Sequence, residues 1–339
     1  MIGYLLRRLA LALVTVWGIS VITFITVQLP PGDFASTYVE EMLGGSALGG
    51  GRSIVDTPQE KMIEDALRAE FGLDQPLVVQ YAKWAWKFVR LDFGVSISYR
   101  RPVKEVVEER LLMTVILAGT TALFAWGLAI PIGIYTALRQ HKWEDYTFTF
   151  IGFLGLAVPD FLLALLLMWG SFRLFPNVSI GGLFSDNYAV APWSVGRFVD
   201  LMAHLWIAAV VVGTAGTAAL IRVMRANLLD ELNKPYVVTA RAKGMREWRV
   251  VLKYPVRIAL NPLVSTMGYL LPFLMSGSII VSIVLSLPTE GPLLYNSLLV
   301  EDMFVTATIL FVLGLLTVIG TLLSDIALAL LDPRIRYIR

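Results

Sequence analysis

The sequence predicts an all-α integral membrane protein with six transmembrane helices and a long loop between the first two. Hydrophobic residues make up 57% of the 339 residues and charged residues only 16%, with a mean hydropathy of +0.70. A soluble domain of this length needs more charge. The apolar residues also fall into runs of about 20 or more, the length that crosses a hydrocarbon core of about 30 Å.

Six such runs follow one another along the chain. The first comes after Arg7 and Arg8. We interpret it as an uncleaved span and not as a signal peptide, because it is long and no cleavage site of small residues follows it. The predicted spans are Leu9–Leu29, Leu111–Leu138, Thr147–Phe172, Leu201–Ile221, Leu263–Leu285 and Phe304–Leu330.

Basic residues orient the predicted bundle, because cytoplasmic loops carry an excess of Lys and Arg. They cluster before span one, between spans two and three, between spans four and five, and after span six. In a six-span bundle these segments share one side, so both termini are expected in the cytoplasm. The segment 30–105 is then an extracytoplasmic subdomain, with helical patterns at 57–72 and 76–91.

Composition excludes several classes of function. The chain has no cysteine and two histidines, which excludes disulfides, thiol catalysis, iron–sulfur clusters and multi-histidine metal centres. We therefore expect no cofactor. The glycine-rich stretch 44–53 lacks the spacing of a phosphate-binding loop and has Arg52 in place of its lysine. The chain is thus not expected to hydrolyse ATP, and the small net charge of +2 does not indicate a nucleic-acid partner.

The segment 227–262, between spans four and five, is longer than a connector needs. Pro235 suits the first turn of a short helix over Tyr236–Lys243, because its missing N–H is harmless there. Gly244 is placed to end that helix in a left-handed conformation. One face of the helix is expected to carry Tyr236, Val237 and Ala240.

A second helix is expected over Arg246–Tyr254, with Trp248, Val251 and Leu252 together on one face. The product is a compact basic hairpin of two helices around Gly244. The small residues beside that glycine favour close docking to a protein. The alternative is an amphipathic element that lies on anionic lipid.

The first of these helices resembles the EAA loop of ABC-importer permeases, in the YVxTARAKG form of the dipeptide, oligopeptide and nickel permease family. The matching stretch is Tyr236–Gly244. Four further stretches resemble that family in the same order along the chain. They are the beginning of the chain up to Pro31-Gly32-Asp33, then Phe71-Gly72-Leu73-Asp74, Leu91-Asp92-Phe93-Gly94 and the ending Leu331–Tyr337.

The resemblance implies the type I ABC importer fold, in the subunit with a long first extracytoplasmic loop. It implies an N-terminal transmembrane helix at 1–29, an ABC transmembrane type 1 domain at 106–330 and a cytoplasmic tail at 331–339. The implied function is a permease subunit, itself no enzyme, in a bacterial or archaeal cytoplasmic membrane. A solute-binding protein would deliver a peptide or an oligosaccharide, since branches of the family carry either.

The implied partners are a second homologous permease, which would form a heterodimer with this chain, two cytoplasmic ATPase subunits and the solute-binding protein. The hairpin would be the coupling helix seated in a cleft of one ATPase. Carried over onto this sequence, the coupling residues are Tyr236, Thr239, Ala240, Arg241, Ala242, Lys243 and Gly244.

The chain departs from the family's pattern in three places. The usual proline after the histidine-leucine pair at His204 is missing, the common acidic residue of span five is Ser282, and the usual tryptophan-proline-glycine reads Leu287-Pro288-Thr289. None of these departures lies in the coupling loop. They leave the cargo open and the expected ATPase coupling intact.

Asp160, Pro159 and Ser282 are predicted to line the translocation path. Asp160 lies about 20 Å into span three at 1.5 Å per residue, and a carboxylate at that depth normally faces the bundle interior or a wet cavity. The alternative is that Asp160 caps a helix that restarts after Pro159. Asp325 is expected to pair with an arginine at the cytoplasmic end, and His204 to be a hydrogen-bonded structural residue.

A rival function is a secondary transporter or channel driven by an ion gradient. Such proteins show paired repeats, broken helices and charges near the membrane midplane. The sequence shows little of this, so an ATP-driven permease is the favoured interpretation.

Overall fold

The computed structural model describes residues 2–28, 58–71, 74–174, 181–266 and 279–331. These ranges are helical apart from turns, bends and one isolated antiparallel bridge between Val95 and Pro102. The two helical patterns expected in the first long loop are confirmed by α2 and α3. The helices are α1 (Ile2–Val27), α2 (Pro58–Phe71), α3 (Leu77–Val89), α4 (Val103–Leu138), α5 (Trp143–Ala157), α6 (Asp160–Leu174), α7 (Val195–Leu232), α8 (Pro235–Ala242), α9 (Glu247–Lys253), α10 (Pro255–Ala259), α11 (Ile279–Val284), α12 (Glu290–Leu299) and α13 (Met303–Leu331).

Four of these helices, α1, α4, α7 and α13, are long and apolar enough to cross a membrane. Helices α5 and α6 together form a bent pair that would make a fifth span. The prediction of an all-helical, multi-pass chain is therefore confirmed. The span predicted at Leu263–Leu285 falls largely on residues 267–278, outside the described residues, so the count of six stays a prediction.

The predicted third span is not continuous. Helices α5 and α6 meet at an angle of 100° across Val158 and Pro159. Val158 is extended, with φ −82° and ψ 123°, because a proline ring pushes the preceding residue out of the helical region. Helix α6 then restarts at Asp160, and the Pro159 carbonyl accepts the Leu162 N–H at 2.9 Å. This is the geometry of a helix that restarts after Pro159, the second of the two alternatives above.

The chain divides into two compact units. The first comprises Met1–Ala10, Met113–Gly291 and Leu316–Arg339, and the second comprises Leu11–Leu112 and Pro292–Leu315. Each unit has apolar clusters of its own.

Helix α7 is the centre of the first unit, and α5, α6, α10 and α11 all pack against it. Its buried side chains form two clusters. One includes Leu201, Leu205 and Ala208 and takes in residues of α4, α6 and α11. The other includes Met224 and Leu228 and takes in residues of α4, α9 and α10. Burial along most of its length therefore makes α7 the helix to which the others are fixed.

Two polar contacts hold the end of α13 within the first unit. The Arg8 guanidinium lies 3.0 Å from the Asp325 carboxylate, which confirms the pairing expected for Asp325. The Arg257 side chain donates a hydrogen bond of 3.2 Å to the Leu331 carbonyl. His204 is hydrogen-bonded as expected, with its Nδ1 2.8 Å from the Asp200 carbonyl oxygen.

The second unit has an aromatic cluster where α1, α3 and α13 meet. Trp84 lies at its centre, with its ring centroid 4.0 Å from that of Phe88 and 5.8 Å from that of Phe24. The Tyr81 hydroxyl is 2.8 Å from the Ser20 hydroxyl. Trp84 thus belongs to the core of this unit, whereas Trp86 is 58% exposed.

Asp302, at the beginning of α13, is completely buried in the second unit. One carboxylate oxygen accepts hydrogen bonds from the Ser96 hydroxyl at 2.6 Å and from the Ser98 N–H at 3.3 Å. The other accepts the Val305 N–H at 3.2 Å, which satisfies one of the free N–H groups of the first helical turn. A single carboxylate therefore caps α13 and fixes the loop that precedes α4.

Candidate functional site

The segment between α7 and α10 forms the expected hairpin of two short helices. Pro235 occupies the first turn of α8, where its missing N–H costs nothing. Within the helix, the Thr239 hydroxyl donates to the Pro235 carbonyl at 2.9 Å. Helix α8 ends at Ala242, and α9 begins at Glu247 after a four-residue turn.

Gly244 makes that turn, as the sequence predicts. Its φ is +73°, a conformation that glycine adopts at little cost. The Gly244 N–H donates to the Arg241 carbonyl at 2.9 Å, and the Met245 N–H donates to the Ala240 carbonyl at 3.4 Å. This pair of bonds is a Schellman motif, which satisfies carbonyls left open at the end of a helix.

The hairpin has a small core of its own. Val237, Ala240 and Val250 are buried, and a second set of partly buried side chains surrounds them: Tyr236, Met245 and Tyr254. The predicted inner face of α8 is therefore confirmed.

Of the three residues expected together on one face of α9, only Val251 is buried. Val250 and Val251 are buried, whereas Trp248 is 57% and Leu252 52% exposed. The helix has only seven residues, too few for the periodicity of the apolar residues to fix its rotation. The packing of Val250 on Val237 and of Val251 on the α7 cluster sets that rotation instead.

The hairpin is fastened to the end of α7 at two points. The Tyr236 hydroxyl donates a short hydrogen bond to the Glu231 carboxylate. Burial, assisted by that carboxylate, raises the pKa of the Tyr236 hydroxyl. On the return path, Val256 and Ala259 of α10 are buried beside Met224 and Leu228 of α7. A force on the hairpin therefore acts directly on α7.

Arg241 and Glu247 form an ion pair across the turn of the hairpin. The Arg241 Nη2 donates to Glu247 at 2.6 Å, and its Nε donates at 3.1 Å to the other carboxylate oxygen. This bond to Arg241 lowers the pKa of the Glu247 carboxyl. The sequence analysis assigned Arg241 to a partner surface and did not single out Glu247. Opposite charges on either side of a glycine turn could have predicted this ion pair.

We expect the removal of a single charge in this hairpin to reduce transport only modestly, because exposed ion pairs contribute about 0–1 kcal/mol. Arg241→Gln and Lys243→Gln should each lower initial uptake in membrane vesicles, and the double variant should lower it more. Glu247→Gln is the matched variant. Equal losses in Glu247→Gln and Arg241→Gln would show that the pair braces the turn. A complete loss from Lys243→Gln alone would contradict the prediction and indicate a buried, specific contact.

The hairpin exposes both apolar and basic side chains. Val238, Trp248 and Leu252 are each more than half exposed. Arg241, Ala242, Lys243 and Gly244 are also exposed. The core and the ion pair brace these exposed side chains from within. We call the protrusion that they form the knob of the hairpin, and it can fill a groove on another protein.

The residues predicted to line the path lie elsewhere in the first unit. Asp160 is half-buried in the first turn of α6, and Pro159 is exposed. Ser282, on α11, is completely buried among the residues packed between α6 and α7. The described residues contain no group of three or more His, Asp or Glu side chains able to hold a metal ion.

Glu290 is a buried acid that sequence reasoning did not single out. It is 1% exposed, at the first residue of α12 and outside the helices that could span a membrane. Neither carboxylate oxygen has a hydrogen-bond partner among the described residues, although its backbone N–H donates to the Thr114 hydroxyl at 2.9 Å. Burial raises the pKa of its carboxyl from 4.5 to about 8.

We expect the stability of the protein to fall as pH rises towards 8, because folded Glu290 holds a proton that the unfolded chain loses near pH 4.5. This contribution is fully present below pH 4.5 and is lost as pH rises through about 8. Melting temperatures of purified protein between pH 5 and pH 8.5 should decline less steeply for Glu290→Gln than for the wild type. Parallel curves for the two proteins would show that Glu290 is not the titrating group.

Comparison with known proteins gives matches over the whole chain. The family model described as "Binding-protein-dependent transport system inner membrane component" matches residues 129–337. This region includes α5 to α13 and therefore the hairpin.

Three relatives illustrate the similarity. The oligopeptide transport system permease protein AppB of Bacillus subtilis is 32% identical over 99% of this chain and 100% of its own length. The dipeptide transport system permease protein DppB of Escherichia coli is 28% identical over 99% of both chains. The glutathione transport system permease protein GsiC of Salmonella paratyphi A is 32% identical over 99% of this chain and 100% of its own length.

Proposed function

Because this chain belongs to the family of inner membrane components of binding-protein-dependent transport systems, we propose that it is a permease subunit of an ATP-driven importer for peptides. Permeases of this family are transport subunits and not enzymes, and they work with ATPase and solute-binding protein partners. A second homologous permease would complete the channel as a heterodimer with this chain. Two ATPase subunits would supply the free energy.

The observation that carries the mechanism is the hairpin after α7. It exposes the apolar side chains of Val238, Trp248 and Leu252, its core and its ion pair brace it from within, and Tyr236 fastens it to α7. When ATP closes the two ATPase subunits, a knob seated in one of them would move with it. Helix α7 would follow, which converts nucleotide binding into a rigid-body change of the channel.

Peptides are the cargo that the relatives favour. The proteins compared above are named for oligopeptides, dipeptides and glutathione, so an oligosaccharide cargo has no support from them. The test is a binding assay on the solute-binding protein that stimulates this transporter, with a peptide library and with oligosaccharides. Binding of oligosaccharides alone would overturn the peptide assignment.

The ATP-driven mechanism has its own test. The tagged chain, purified from its native membrane, should bring ATPase subunits with it, and uptake into vesicles should stop when ATP is removed. Uptake that survives without ATP and collapses when an ionophore dissipates the ion gradient would favour the rival, a secondary transporter.

We further propose six spans with both termini in the cytoplasm and residues 30–105 outside, where this segment would help to receive the solute-binding protein. The basis is the excess of basic residues in one set of loops and of acidic residues in the other. The chain has no cysteine, so a single Gly50→Cys substitution gives one unambiguous label site. An impermeant maleimide should react from the outside, and reaction from the cytoplasmic side alone would overturn this orientation.

Asp160 is proposed to contribute to the translocation path together with Pro159 and Ser282. It lies at the break between α5 and α6, where the proline interrupts the helical hydrogen-bond ladder. We expect Asp160→Asn to lower peptide uptake and substrate-stimulated ATP hydrolysis in the assembled complex, because the substitution removes the charge and keeps the shape. Unchanged values in this variant and in Asp160→Leu would show that Asp160 only begins helix α6.

A further inference from the structure

An ion pair with a buried carboxylate joins α5 to α7 near the end of α7 that carries the hairpin. Asp145, in the first turn of α5, is 3% exposed. The Arg225 Nε donates to one of its carboxylate oxygens at 2.8 Å, and the Arg225 Nη2 donates to the other at 2.7 Å. The planar guanidinium thus holds the carboxylate at two points, which fixes the relative position of the two groups more tightly than a single bond.

The same carboxylate also holds the turn between α4 and α5. The His141 N–H donates to it at 3.1 Å, and His141 adopts a left-handed conformation, with φ +62°. In the same turn, Arg139 forms a short charged hydrogen bond with Glu144. The end of α4, the beginning of α5 and the side of α7 therefore meet at Asp145.

Helices α5 and α7 remain in close contact beyond this point. A Cβ atom added at Gly155 would lie 2.8 Å from the Thr214 Cγ2, and one added at Gly152 would lie 3.7 Å from the Ala218 Cβ. Small residues thus let the two backbones approach one another. With one end clamped and the length closely packed, α5 is built to move with α7.

The pair lies between the two features on which transport would depend. Arg225 precedes the end of α7 at Leu232 by seven residues, or about 10 Å of helix, and the hairpin follows directly. In the other direction, α5 runs from Asp145 to the 100° break before α6. The first unit therefore contains a continuous path of contacts. It runs from the hairpin to α7, through the ion pair to α5, and along α5 to the break.

We propose that the Asp145–Arg225 pair is the clamp that transmits movement of the hairpin from α7 to α5 and so to the break at Val158 and Pro159. Asp145 and Arg225 are positioning residues in this scheme. The inference rests on the proposed function. A buried carboxylate that loses its partner must find water or another donor, so α5 and α7 cannot slide past one another while the pair is intact.

The test uses the complete transporter, purified with its partner subunits and reconstituted in proteoliposomes. Asp145→Asn should lower uptake per assembled complex by about tenfold or more, the size of a typical coupling effect, while basal ATP hydrolysis persists. Arg225→Lys keeps the charge but cannot hold the carboxylate at two points. Its uptake per complex should lie between that of Asp145→Asn and that of the wild type. Lys142→Gln removes an exposed charge from the same turn and should match the wild type.

A distance measurement keeps the proposal testable if Asp145→Asn assembles poorly, because it can be made in Arg225→Lys. Spin labels at Tyr146→Cys on α5 and Arg246→Cys on the hairpin use exposed positions in a chain without cysteine. In the wild type, the distance between them should be the same with and without ATP. In the clamp variants it should change when ATP binds.

Normal uptake per complex in Asp145→Asn would overturn the clamp. So would a wild-type distance that changes with ATP, or a distance in the clamp variants that does not. Absence of ATPase subunits from the purified complex would contradict the proposed function instead, so the two failures are distinguishable.

Discussion

Gly244→Val should leave the protein in the membrane and abolish uptake. Gly244 has a φ of +73°, and a side chain in the left-handed region costs about 1–2 kcal/mol, more for a β-branched residue. A Cβ atom at this position would meet no atom of the chain within 4 Å. The folded core therefore tolerates the change. The turn that orients the two hairpin helices is strained, however, and the added methyl groups lie on the exposed surface of the hairpin.

Uptake and ATP hydrolysis in proteoliposomes, normalised to the amount of assembled complex, measure this effect. Gly127→Val is the control, because a Cβ atom there also meets open space and Gly127 has no left-handed backbone. Gly244→Asn separates the two causes, since asparagine tolerates the left-handed region. Partial activity in Gly244→Asn would identify backbone strain as the main cause, whereas complete loss would identify crowding of the partner. Normal uptake in Gly244→Val would show that the hairpin is not the coupling element.

Asp302→Ala should destabilise the second unit by about 3 kcal/mol. Loss of a helix cap costs about 0.5–2 kcal/mol. Each buried donor left without a partner costs about 1–3 kcal/mol. The buried Ser96 hydroxyl would be left in this state, whereas the Ser98 N–H belongs to an exposed residue and can turn to water.

Thermal unfolding of the purified protein and the rate of proteolysis in the segment preceding α4 measure this loss. Asp302→Asn should cost less, because its amide oxygen can still accept the Val305 N–H. Asp92→Ala is the matched control, since that carboxylate accepts one exposed backbone N–H, from Gly94 at 3.2 Å. Equal melting temperatures for Asp302→Ala and Asp92→Ala would show that the buried carboxylate does not hold the loop to α13.

The features that could be predicted from the sequence are those set by residues close together along the chain. Runs of apolar residues gave the spanning helices, because every backbone polar group in a membrane must be satisfied within the segment. Pro235 suits the first turn of a helix and Gly244 suits the position after its last turn, so both ends of α8 could be predicted. The resemblance to the permease family, confirmed by the match over residues 129–337, supplied the function that local patterns could not.

Features set by tertiary contacts were beyond prediction from the sequence. The rotation of α9 depends on the packing of Val250 within the hairpin and of Val251 on the α7 cluster, so Trp248 and Leu252, expected on one face with Val251, are exposed while Val251 is buried. Asp145 and Arg225 are 80 residues apart, and nothing in their local surroundings connects them. A helix that restarts after Pro159 was one of the alternatives from the sequence, but its angle of 100° to α5 was not predicted.

The pairing of Arg8 with Asp325 has a consequence for biogenesis. During synthesis, α1 leaves the ribosome more than 300 residues before its partner exists. The first unit can therefore close only after Asp325 has been synthesised, and the other helices of that unit are made before this ion pair can form. Long-range contacts of this kind slow folding, so we expect the pairing of these two helix ends to be a late step in the folding of the first unit.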